Sequence, residues 1–105
     1  MKNVAINWKN IKNLIGYSEQ GIVSKEIFKN GKVDATLFCM AEDTAISEHT
    51  STKEGVVYVL EGKGIFTLEG EGIAMEPGVI ISMKNNAVHS IKAQKNTSFI
   101  LILVK

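Results

Sequence analysis

The sequence predicts an all-β domain, a sandwich or a closed barrel, on three observations. Short runs rich in β-branched and aromatic residues recur from Ile22 to the end of the chain. Gly, Asn or Pro turn chemistry separates them at a spacing of about 8–12 residues, the rhythm of antiparallel all-β folds. The composition, 45% hydrophobic and 22% charged over 105 residues, suits one core and excludes a disordered tail. Residues 1–105 are therefore expected to form a single domain, without internal repeat or linker.

Trp8, Ile11, Leu14 and Ile15 fall on one face of a helical spacing, so a short N-terminal helix is expected. Asn7 is its candidate N-cap and Gly16 its stop. The strand pattern then begins. Ile22 to Phe28 and Lys32 to Met40 flank Asn30-Gly31, the strongest short hairpin signal. Val56 to Leu60 lies between Gly55 and the Glu61-Gly62-Lys63-Gly64 turn. Ile65 to Leu68 answers it, and Glu69-Gly70-Glu71-Gly72 makes the next turn. Ile73 to Met75, Val79 to Met83, Val88 to Ala93 and Ser98 to Val104 complete the set. Val56 to Leu60 and Phe99 to Val104 are apolar at every position, so both faces of those strands need cover. The helix supplies part of it, and a homodimer is expected to supply the rest.

Charge narrows the function classes. The formal net charge is +1, which gives no general attraction to nucleic acid or acidic lipid. All 12 basic residues are Lys, so the planar fork that clamps carboxylates and phosphates is missing. The run Phe99 to Val104 is too short to span a bilayer, which takes about 20 residues. Met1 to Asn7 carries no apolar stretch of signal-peptide length. The single cysteine, Cys39, has no disulfide partner within the chain, and a cytoplasmic protein is expected. Asn96-Thr97-Ser98 fits the glycosylation pattern but is read as coincidence.

Polar chemistry thus rests on few groups, the rarest being the two histidines. His49 precedes the polar loop Thr50 to Glu54, the strand Gly55 to Glu61, and Gly62. Pro77-Gly78 precedes a strand, the polar turn Lys84-Asn85-Asn86, and His89. This region, about 42–91, resembles the cupin superfamily, small β-barrels related to the jelly roll. One motif of that family carries a leading Gly, His-x-His, a Glu and a closing Gly; a second has Pro-Gly, a strand, a turn and a third His. Anchored on Gly62 and separately on Pro77-Gly78, both His49 and His89 fall on metal-ligand positions.

The resemblance implies a type-2-like cupin, a double-stranded β-helix or jelly-roll barrel, with a degenerate ligand set. Ser51 stands where the second His belongs, Gly55 where the Glu belongs, and Asp43 replaces the leading Gly. Two neutral imidazoles can hold a divalent Fe, Mn, Ni or Zn ion, the other positions being left to water or a carboxylate. Ser51 and Glu54 are the candidates beside them. A residue next to an inward position points outward unless a bulge turns it, which applies to Glu54 and equally to Glu48.

Leu37, Cys39, Val57, Val59 and Met83 are the expected pocket walls, with Lys25 and Lys53 as candidates for its mouth. Cys39 reads as a small buried hydrophobe, the alternative being a soft ligand or oxidisable thiol. Tyr58 suits packing or a dimer contact. Met40, Met75 and Met83 are too irregularly spaced for a copper site. The Gly-rich turns lack a following helix and are hairpins, not phosphate loops. The functions expected are a small-molecule-binding barrel with a weak or optional metal site, a metal-dependent dioxygenase or isomerase using His49 and His89, or a structural, partner-binding barrel. Fold alone does not choose among them.

Overall fold

The computed structural model describes residues 8–105. It contains nine strands: β1 (Ile22–Lys29), β2 (Val33–Met40), β3 (Ala45–His49), β4 (Glu54–Glu61), β5 (Gly64–Leu68), β6 (Glu71–Met75), β7 (Ile80–Met83), β8 (His89–Ala93) and β9 (Thr97–Val104). They form a five-stranded sheet, β1-β2-β9-β4-β7, and a four-stranded sheet, β3-β8-β5-β6, with antiparallel pairing throughout. The all-β jelly-roll expectation holds. The helix does not: the only helical element among the described residues is a 3-10 turn at Ile11–Asn13, capped by the Asn10 side chain accepting from the Lys12 N–H at 3.1 Å. Asn10 and Asn13 favour local turns over helix interior, which is why apolar spacing misled. The expected cap, Asn7, lies outside the described residues.

Register separates the two faces of the larger sheet. Opposed pairs share a face, so Phe38–Phe99, Val59–Phe99, Val57–Leu101, Val57–Ile81 and Gly55–Met83 lie on the inner one. From the smaller sheet, Phe66, Met75, Ile91 and Ala93 meet them to form the core with Met40, Val57, Val59, Ile81, Met83 and Phe99. Phe38 and Phe99 stack at 5.2 Å between ring centroids, an aromatic pair at the cross-strand position that brings side chains together.

On the outer face, Leu37 opposes Ile100, and Cys39 opposes Ser98. Leu37, Cys39 and Ser98 are nevertheless fully buried. The segment 8–21 covers them as a strap. Lys25 Nζ donates to the Leu14 carbonyl at 2.6 Å, Ala41 N–H donates to the Gly21 carbonyl at 3.0 Å, and Tyr17 Oη donates to Glu61 Oε2 at 2.6 Å. Burial, reinforced by the Glu61 carboxylate, pushes the Tyr17 phenol above the ordinary 10.0. Beyond the strap the outer face is open, with Tyr58 40% and Ile80 66% exposed.

Two turns show how local chemistry sets register. At Asn30-Gly31 the hairpin forms, but through the Asn30 side chain, whose Oδ1 accepts from Lys32 and Val33 N–H at 2.8 and 2.9 Å. At the β5–β6 turn, Glu69 and Gly70 both adopt positive φ, 49° and 82°, the backbone that matches strand twist in a two-residue hairpin.

Candidate functional site

The strand β3 carries no alternating apolar pattern, and sequence periodicity passes over it. It is an edge strand paired only with β8. Ile46 opposes Ile91 and His49 opposes His89, so β3 uses three steps where β8 uses two. That bulge places Ile46 and His49 on the same wall, although their spacing is odd. In regular pairing Glu48 would oppose His89, so the bulge decides that an imidazole stands there.

The two rings face each other with centroids 4.1 Å apart and planes 60° apart. They are held alike. His49 Nδ1 donates to the Ser47 carbonyl at 2.8 Å, and His89 Nδ1 donates to the Ala87 carbonyl at 3.0 Å. A carbonyl only accepts, so Nδ1 must carry the proton, and in a neutral imidazole Nε2 is left as a lone-pair acceptor. Neither Nε2 has a protein partner among the described residues. Phe66 stacks on His89 at 5.7 Å with planes 3° apart, fixing the ring further. His89 is 7% exposed, whereas His49 is exposed and marks the solvent side.

Both histidines line a cavity of about 120 Å³ between the sheets, whose other walls are Phe38, Ile46, Val57, Phe66, Met83, Ile91, Phe99 and Leu101. Of the residues expected as pocket walls, Val57 and Met83 line this cavity. Val59 is buried in the adjoining core, outside the cavity lining. Leu37 and Cys39 are corrected: Phe38 lines the cavity, so its neighbours point to the strap. Phe38, Phe66, Phe99 and Leu101 are walls that sequence reasoning missed. For Phe38 the alternation of β2 was the available signal, read with the wrong parity.

Ser51 and Glu54 are not brought to the histidines. Ser51 is half-buried in the β3–β4 loop, where its Oγ accepts from Lys53 N–H at 3.2 Å and its carbonyl from Asn86 N–H. Glu54 is exposed and opposes Val104 on the outer face. The register of β4 runs without a shift from Glu54 to Val59, so no bulge turns that carboxylate inward. Lys25 is tied to the strap, and Lys53 does not line the cavity. Among the described residues no group of three or more His, Cys, Asp or Glu is placed to hold a metal. Among the described residues two imidazoles are the whole donor set, which does not fit a resident ion of the family's three-His, one-carboxylate kind.

Two antiparallel sheets closed over an internal histidine pair, one imidazole arriving before β4 and the other after a Pro-Gly turn, define a barrel of the cupin type. Residues 36–105 match the Cupin domain family, and the chain belongs to it. No functionally curated protein matches the sequence. Among solved structures, a cupin superfamily protein from Desulfitobacterium hafniense superposes with a TM-score of 0.86 at 19% identity, over 98% of this chain and 95% of the other. KdgF from Halomonas sp. gives 0.82 at 18% identity, over 96% and 94% of the two chains. Salicylate 1,2-dioxygenase from Pseudoaminobacter salicylatoxidans gives 0.73 at 14% identity, over 79% of this chain and 26% of the enzyme. At these identities the likeness establishes the fold. No helix among the described residues is long and apolar enough to cross a membrane.

Proposed function

We propose that this cupin is a small-molecule-binding protein whose ligand sits between the sheets against His49 and His89. The observation that carries this reading is a pair of unpartnered imidazole acceptors facing each other in an otherwise apolar cavity of about 120 Å³. Binding sites combine apolar walls with a few orienting polar groups, and this cavity has that make-up. It also speaks against a barrel filled entirely by its own side chains. Divalent metal is optional: with two protein ligands an ion is held weakly, and water or ligand completes its shell.

The second reading is a metal-dependent enzyme, a dioxygenase or isomerase. It is favoured by the Nδ1-to-carbonyl bonds, which fix the tautomer and ring as such bonds do for metal-ligating histidines. Metal analysis of the purified protein, repeated on His49→Ala and His89→Ala, separates the two. The binding reading expects substoichiometric metal. Stoichiometric metal that both variants lose supports the enzyme instead, and no uptake of iron, manganese, nickel or zinc excludes it.

The open outer face, with Val56, Tyr58, Ile80, Ile102 and Val104 exposed or half-buried, supports a homodimer. Sedimentation at micromolar concentration is expected to give twice the chain mass; a monomer refutes it.

A further inference from the structure

Resting on the binding reading above, we infer that the cavity selects a neutral, hydrogen-bond-donating molecule the size of one six-membered ring, of the phenol class, and rejects carboxylates. The argument begins with the polar inventory of the walls. Among the described residues, His49 and His89 are the only lining residues with a polar side chain. Each has its N–H committed to a backbone carbonyl, so what remains is two acceptors and no donor. A carboxylate or phosphate entering this space would lose its water and meet lone pairs, the costliest arrangement for a buried anion. Among the described residues no lysine lines the cavity, and the chain has no Arg, so no fixed cation offsets that cost. A hydroxyl or ring N–H satisfies an acceptor that would otherwise stay unpaired.

Size and shape narrow the class. An apolar cavity of on the order of 150 Å³ takes a benzene ring. This one measures about 120 Å³ and opens beside the exposed His49, so it is near the size of one ring and well short of a fused pair. Its walls include flat aromatic surfaces, the Phe38–Phe99 stack and the parallel Phe66–His89 pair. These favour a planar guest over a branched aliphatic one of equal volume.

The test is calorimetric titration of the full chain with phenol, anisole and benzoate at neutral pH, in the presence of a chelator so that no metal phenolate forms. Phenol is expected to bind with one-to-one stoichiometry. Anisole, which keeps the ring but donates nothing, is expected to bind at least about tenfold more weakly, the consequence of covering an imidazole acceptor without pairing it. Benzoate is expected not to bind over the same range. In His49→Phe and in His89→Phe, checked for native circular dichroism, the advantage of phenol over anisole should shrink. The exposed position of His49 makes the first variant the safer one to fold.

Equal affinity for phenol and anisole overturns the donor requirement, and tighter binding of benzoate overturns the rejection of anions; both leave the cavity a binding site. Xenon uptake, read from the xenon chemical shift, decides the remaining case. Xenon entering while all three rings fail refutes the size assignment alone. Failure of xenon and rings together removes the binding reading as well.

Discussion

Gly55 occupies the position at which the cupin motif carries its carboxylate, and Gly55→Glu is expected to create metal-dependent stability. Gly55 opposes Met83 and Leu103 on the inner face. A β-carbon there would lie 2.9 Å from Leu103 Cδ2, 3.3 Å from Met83 Cε and 3.3 Å from the Ile102 carbonyl oxygen. The first two are ends of flexible side chains, so the substitution strains the core without blocking the fold. Overpacking of this kind costs about 1–3 kcal/mol. Taking about 2 kcal/mol, and about 4–8 °C per kcal/mol for a domain of this size, the metal-free variant should melt roughly 8–16 °C below the parent. Met83 lines the cavity with both histidines, so the new carboxylate can complete a two-His, one-carboxylate set. A divalent ion at a hundred times its Kd then returns about 2.7 kcal/mol, enough to cancel the loss. Thermal unfolding in chelator and in manganese or zinc reads this directly, with the parent shifting little in metal. A folded variant indifferent to every metal tried refutes the placement of position 55. A parent that responds as strongly refutes the claim that two imidazoles bind weakly.

Gly62→Ala should destabilise by about 2–5 kcal/mol in denaturant titration, adding backbone strain to overpacking. Gly62 has φ +105°, and a β-carbon would clash with the Asn96 carbonyl oxygen and with Thr97 Cα. Phe66→Ala should cost about 3–5 kcal/mol, since the ring is buried between sheets, and should loosen His89, whose ring stacks on it. The stability of the parent should fall as pH climbs above 10.0, because the unfolded chain releases the Tyr17 proton there while the folded chain retains it. Tyr17→Phe should flatten that decline and cost about 1 kcal/mol at neutral pH through the lost bond to Glu61. Equal alkaline slopes in both proteins would show that Tyr17 is not the group responsible.

Most of the sheet framework is legible in the sequence because turn chemistry is local: Asn30, Gly62, Glu69-Gly70 and Pro77-Gly78 announce where strands end. The histidine positions are legible through motif spacing alone. What stays hidden depends on non-local register. The bulge in β3 involves Ser47 and Glu48, ordinary polar residues whose role appears only against β8. The parity of β2 is equally ambiguous, since Leu37, Phe38 and Cys39 are all apolar and the strap buries the side that faces away from the cavity. The strap itself was disguised by helical spacing at Ile11, Leu14 and Ile15, where the chain makes a single 3-10 turn and Lys25 then ties it down at Leu14.

The same strap gives the molecule an internal gauge of its own opening. Cys39 is a free thiol, fully enclosed and directly opposite Ser98. An alkylating reagent reaches it only when segment 8–21 lifts or the whole domain unfolds. Labelling far faster than global unfolding would therefore report strap release as a separate, shallower event. Since the cavity lies across the sheet from that thiol, the labelling rate can be followed while a guest occupies the histidine pair, with no probe added to either.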